Sequence, residues 1–253
     1  MDAIDLTIAL LLAHVLGDFV FQHERVIRGK YAGRFSAYLE HMAVHALLSV
    51  LTVALFTGLL TSLKLWLLLA ILLISHALID WAKTALNART ERSLTVFLLD
   101  QILHILLIVI GSTWVCGISL LDPGLDLLPL DHTLAMLLTG FAVAVFGVGW
   151  INGMLLQPLA DRYAEEAGRD HSMAREGMSR AGMIIGWLER TLILTAVLLQ
   201  SPVGVGFILA AKSIFRFENT KAGQQAAEYF LIGTLLSVAQ AIAIGLLLIE
   251  LIQ

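Results

Sequence analysis

The chain has 253 residues, 58% of them hydrophobic and 14% charged, with a mean hydropathy of +0.86 and a net charge of −4. A soluble domain typically has an apolar share of about 45 to 50%, so this composition points to a polytopic membrane protein, for which the lipid bilayer is the expected partner and nucleic acid is not. Its single cysteine, Cys116, excludes an internal disulfide and a cysteine-built zinc knuckle.

Crossing a hydrocarbon core takes about 20 mostly apolar residues. Candidate spans run Ile4 to Phe21, Ala37 to Leu59, Leu65 to Ala82, Leu94 to Cys116, Leu134 to Leu156, Gly182 to Leu199, Val203 to Phe217 and Ala227 to Ile252. The expected fold is therefore all-α, with about eight transmembrane helices. The start M-D-A-I-D has no basic region and no small-residue cleavage site, so the first span is expected to stay in the mature chain. The sixth and seventh segments are joined only by Gln200, Ser201 and Pro202, and a re-entrant hairpin is the alternative to two crossings.

Positive charge fixes the expected orientation, because short cytoplasmic loops are rich in Lys and Arg. Arg25, Arg28, Lys30 and Arg34 occupy the first loop, Lys83, Arg89 and Arg92 the third, Arg162, Arg169, Arg175 and Arg180 the fifth, and Lys212, Arg216 and Lys221 the seventh region. The intervening loops are nearly bare, so the odd loops are expected inside and both termini outside. The fifth loop, 157–181, reads as a solvated helix and connector.

Each of the first four spans carries a pair of ligand-type residues at i, i+4, which one helix face presents together. The pairs are His14/Asp18, His41/His45, His76/Asp80 and Asp100/His104. With that topology, and ~1.5 Å of rise per residue, all eight fall within roughly one to two and a half turns of the cytoplasmic boundary. The first two spans and the next two repeat one hairpin pattern, which predicts an N-terminal four-helix bundle lined by a His/Asp layer. The expected division is a four-helix half, residues 1–120, and a second membrane half, 121–253.

Ionisable groups inside spans are costly and usually mark function. Histidine with carboxylate suits a divalent transition metal, zinc first, with iron or manganese as alternatives, whereas calcium and magnesium favour oxygen ligands. All eight residues are candidate ligands, for one or two ions. Interhelical hydrogen bonding without metal is the first alternative, and bis-histidine haem the second, although haem leaves the aspartates unexplained.

The second half adds Glu189 and Arg190 inside the sixth span, Lys212 and Arg216 at the inner end of the seventh, and Glu218 and Glu228 flanking the next turn. Arg190, Lys212, Arg216 and Glu228 are candidate substrate-binding groups for an anion such as phosphate, with ordinary positive-inside anchoring as the alternative for Lys212 and Arg216. Glu189 and Arg190 are expected to pair with each other or with Glu228.

The motifs A-H-V-L-G-D-F-V-F-Q, H-x3-H, H-A-L-I-D-W-A-K and L-D-Q-I-L-H, with I-G-W-L-E-R-T-L-I, A-A-K-S-I-F-R-F and A-E-Y-F-L-I-G-T-L-L-S later, resemble the bacterial membrane family catalogued as domain of unknown function 3307. That resemblance implies a bacterial inner-membrane location and brings no activity. A looser similarity to membrane-bound metal-dependent hydrolases, which scatter histidines over apolar helices, carries only the idea of a hydrolase.

The leading expectation is a metal-dependent hydrolase or phosphotransferase acting on an anionic small molecule or lipid at the cytoplasmic leaflet. Asp18, Asp100 or Glu189 would supply the catalytic carboxylate. A transporter of a divalent metal or anionic solute is the alternative, and a non-catalytic membrane scaffold the third. An oligomer is left open.

Overall fold

The computed structural model describes residues 3–57, 60–90, 94–116, 132–166, 171–217 and 224–253, and every regular element among them is helical. Among the described residues six helices are long and apolar enough to cross a membrane: Ala3–Val20, Phe35–Phe56, Leu63–Leu86, Leu94–Cys116, Thr133–Arg162 and Glu228–Ile252. The chain divides into two compact units, residues 1–142 and 143–253. The sequence places that division at 120, but α6 (His132–Ala142) packs against the first helix and so extends the first unit.

In the first unit, α1 (Ala3–Val15) runs into a π-helical turn, Leu16–Val20, and a short helix α2 (Glu24–Tyr31) leads to α3 (Phe35–Phe56), α4 (Leu63–Thr90) and α5 (Leu94–Cys116). α1 packs on α3 and α5, and α4 packs on the same two, so these four helices close a ring with α1 and α4 across it. Half of the first span is buried, against 17 to 33% of the spans in α3, α4 and α5, which makes α1 the innermost helix. One apolar core gathers Leu6, Leu10, Val53, Leu65, Leu68, Ile108 and Val115.

The outward faces carry large apolar side chains, including Leu47 and Leu51 on α3, Ile71, Ile74 and Leu78 on α4, and Ile102, Leu106 and Ile110 on α5. Histidines and aspartates are buried on the same helices. Polar inside and apolar outside is the arrangement lipid imposes, since the backbone is satisfied within each helix and only the ionisable side chains need partners.

The second unit begins with another π-helical turn, Val143–Gly147, followed by α7 (Val148–Glu166), α8 (His171–Leu198), α9 (Pro202–Phe217) and α10 (Gln224–Ile252). α10 packs on α7 and α8, and α9 packs on α8, around Ile193, Val238 and Ala241. The α8–α9 corner is tight for a local reason. Gln200 takes a left-handed conformation (φ 52°), Gln200 N donates to Val197 O and Ser201 N to Ala196 O, and Pro202 opens α9 with Ser201 Oγ accepting from Gly204 N. That is a helix stop followed at once by a capped start.

The count of eight crossings is not carried over. At ~1.5 Å per residue the 16 residues of α9 reach about 24 Å, short of a hydrocarbon core of about 30 Å. The expected cytoplasmic loop is helical where described, because α7 runs to Glu166 and α8 starts at His171.

Candidate metal centre

The four i, i+4 pairs meet. None of the eight residues exposes more than 6% of its surface, and the carboxylate of Asp18 lies at the centre. Its Oδ1 is 3.1 Å from His45 Nε2, 3.2 Å from His41 Nε2 and 3.4 Å from His76 Nε2. Its Oδ2 is 3.8 Å from His14 Nε2 and accepts from Gln101 Nε2 at 3.1 Å.

Two features of α1 position that carboxylate. The π-helical turn holds Asp18 within Leu16–Val20, and such insertions re-aim the residues that follow and recur at functional sites. Gly17 then lets α3 approach, since a Cβ at that position would overlap the His45 imidazole.

Two overlapping groups of ligand atoms result, each with all members within 4.8 Å of one another: His14, Asp18, His45 and His76, and His41, His76 and Asp80. In the second, His41 Nε2 is 3.1 Å from His76 Nε2 and 3.3 Å from Asp80 Oδ2. The donor set fits a transition metal. Four ligands at tetrahedral corners about 2.0 to 2.1 Å from a zinc ion would stand about 3.3 to 3.4 Å apart; here His45 and His76 Nε2 stand 3.1 and 3.4 Å from Asp18 Oδ1 and His14 Nε2 3.8 Å from Oδ2, with the whole group inside 4.8 Å.

Hydrogen bonding is the other way to satisfy these side chains. An imidazole nitrogen carries at most one hydrogen, and His41 Nε2 faces Asp18 Oδ1, Asp80 Oδ2 and His76 Nε2 at 3.1 to 3.3 Å, so that hydrogen is shared among them.

Asp80 and Asp100 are held differently. Lys83 Nζ sits 2.9 Å from Asp80 Oδ1 and 2.8 Å from Asp100 Oδ2, and Lys30, only 3% exposed, pairs with Asp80 Oδ2. Burial pulls the Lys30 ammonium below its ordinary pKa, while the carboxylates of Asp80 and Asp18 oppose that shift. With its amide turned to satisfy both neighbours, Gln22 accepts from Lys30 Nζ at 2.7 Å and donates to the Asp18 carbonyl at 3.2 Å. Asp18 is thus the carboxylate of the three that no lysine engages directly.

Lys30, Lys83 and Gln101 are the residues that sequence reasoning missed. Lys83 had a usable signal, standing three residues after Asp80 and seven after His76 on one helical face. Gln101 is next to Asp100 but reaches Asp18 on another helix, and nothing local announces that.

Asp100 and His104 stand at the edge of the layer, outside both ligand groups. His104 Nδ1 donates to the Asp100 carbonyl at 2.8 Å. That bond leaves Nε2 with its lone pair, and Nε2 has no hydrogen-bond partner among the described residues. The His104 ring lines a cavity of about 30 Å³ together with His14, His45 and His76, room for a water molecule.

In the second unit two of the expected anion-binding groups, Arg190 and Lys212, are engaged with protein. Arg190, 5% exposed, donates from Nε (3.1 Å) and Nη2 (2.6 Å) to the Val145 carbonyl in the π-helical turn, and from Nη1 to Ser237 Oγ at 3.2 Å. Gly149 and Gly186 make room for the guanidinium. Glu189 pairs with Lys212 at 2.5 Å, and because successive helical residues point about 100° apart it and Arg190 reach different partners. Glu228 is exposed. The side chain of Arg216 and all of Glu218 lie outside the described residues.

Residues 6–121 match the model of the family described as Protein of unknown function (DUF3307), a stretch that contains every ligand pair from His14 to His104. The resemblant motifs of the second half fall beyond that match. No curated protein and no solved structure matches the chain.

Proposed function

We propose that the family-matching half of this chain is a membrane-embedded transition-metal centre, zinc being the first choice, and that the protein is a metal-dependent hydrolase or phosphotransferase acting on an anionic substrate. The observation that carries this reading is the convergence of three imidazoles on one carboxylate, His45 and His76 Nε2 at 3.1 and 3.4 Å from Asp18 Oδ1 and His14 Nε2 at 3.8 Å from Oδ2. His14, Asp18, His45 and His76 would hold the ion. Such an ion supplies Lewis acidity and lowers the pKa of water toward neutrality.

The chain's own residues do the rest. His104, its Nε2 unused in a ring that lines the water-sized cavity, would take the proton from a water held there. Lys83 and Gln101 fix the carboxylates of Asp100 and Asp18 and keep them from swinging into that space. Asp18 and Asp100 therefore serve as ligand and anchor in preference to acting as base. The clustering of Lys and Arg in alternate loops supports an orientation with the layer toward the cytoplasmic face and both termini outside.

The test is elemental analysis of protein purified without chelator at near-native metal supply, beside a His45→Ala/His76→Ala variant. Stoichiometric metal lost in the variant, with phosphate release from a generic phosphoester lost alongside it, supports the reading; absence of metal from the wild type ends it.

Transport of a divalent cation is the second reading, favoured by the cavity itself, which takes a water or a bare ion and no lipid headgroup. Proteoliposome uptake of the ion that His45→Ala/His76→Ala abolishes would favour transport, and metal that survives prolonged dialysis would favour the enzyme.

A further inference from the structure

The ligand layer has more donor atoms than one ion uses. His76 Nε2 belongs to both groups but serves one ion at a time. With it committed to His14, Asp18 and His45, a second set remains: His41 Nε2, with Asp80 Oδ2 at 3.3 Å and Asp18 Oδ1 at 3.2 Å. An imidazole and two carboxylate oxygens, one of them shared with the first ion, are what two-metal sites use to bridge neighbouring cations. This set is not empty of charge, because the Lys30 ammonium pairs with Asp80 Oδ2.

We propose that His41, Asp80 and the shared Asp18 form a second divalent-cation position that the Lys30 ammonium, paired with the Asp80 oxygen of that set, keeps free of metal, so that the protein as folded takes one ion and excludes a second. The proposal rests on the metal-centre reading above and adds to it the charge that sets the number of ions.

Three observations single out Lys30 for this role. It comes from α2, a helix of eight residues outside the ring of spans, yet its head is buried in the layer while Arg25 and Arg28 on the same helix are exposed. Gln22 accepts from its ammonium and donates to the Asp18 carbonyl, so one side chain steadies both the lysine and the shared ligand. Lys83 already holds Asp80 Oδ1, so Lys30 is redundant as a partner merely to keep Asp80 from standing alone, and its position is on the oxygen that faces His41. A divalent ion there would meet the Lys30 charge at contact distance, and repulsion on that scale decides occupancy.

The test counts Zn²⁺ per chain after equilibrium dialysis of the full-length protein in detergent, with folding followed by gel filtration and helical circular dichroism. The wild type is expected to hold one ion and Lys30→Met two. Lys30→Arg, which keeps the charge, should hold one, and so should Lys30→Met/His41→Ala, which removes the new ligand. Should Lys30→Met fail to fold, Lys30→Gln carries the same expectation, since it retains a polar group beside Gln22. One ion in a folded Lys30→Met or Lys30→Gln protein overturns the proposal and leaves the metal-centre reading intact. Two ions in the wild type also overturn it, because Lys30 then excludes nothing. No ion in any of these proteins overturns both.

Discussion

Gly17→Ala tests whether the imidazoles are placed for a metal. The added methyl overlaps the His45 ring, and even its Nδ1 is only 2.9 Å from the new carbon where ordinary contact begins at 3.4 Å. With Cε1 and Nε2 only 2.4 Å away, the ring must retreat by about 1 Å, or α1 and α3 must part, and overpacking of this kind costs about 1 to 3 kcal/mol. Retreat lengthens the 3.1 Å approach of His45 Nε2 to Asp18 Oδ1, so the bound state must meet that cost. Converted at about 1.4 kcal/mol per tenfold, metal binding should weaken by about 5- to 150-fold. The assay is competition for Co²⁺ or Zn²⁺ against a chromophoric chelator, with Gly153→Ala as control, since a methyl there meets nothing within 4 Å. Unchanged affinity in a folded Gly17→Ala protein would refute the placement argued for His45.

Other perturbations separate the parts of the account. Lys83→Met leaves Asp80 and Asp100 without the ammonium that bridges them, and breaking such a buried pair costs about 3 to 5 kcal/mol; a clear fall in the detergent melting temperature should follow. Arg190→Met strips the Val145 carbonyl of its two donors and should destabilise the protein by about 1 to 3 kcal/mol while metal content stays at the wild-type level, because its contacts are structural. His104→Ala should retain metal and lose turnover under the hydrolase reading, whereas equal loss of both would make His104 a ligand. Metal content should also fall on acidification, since ligation requires neutral rings and protons compete with the ion for the same nitrogens.

The helical layer was legible because helix periodicity is local. Pairs such as His76/Asp80 share a face whatever surrounds them, and repeating the pattern in four consecutive spans required one interior. What periodicity could not supply was the direction of long side chains in the loops. Lys30 looks in sequence like its neighbours Arg25, Arg28 and Arg34, and only the seating of α2 against α3 and α4 turns it inward. The same limit explains Arg190, whose partner is a backbone carbonyl in a π-helical turn that no side-chain pattern announces. Gly17 read as an ordinary small residue in an apolar span, and its role depends on a ring from another helix.

The central claim is most directly tested by X-ray absorption at the K-edge of whatever metal copurifies. The account predicts a shell of nitrogen and oxygen at about 2.0 to 2.1 Å, with outer-shell scattering from three imidazole rings and no sulfur, and loss of the ring signal in His45→Ala/His76→Ala. A fully hydrated ion, or a spectrum that the double substitution leaves unchanged, would contradict it.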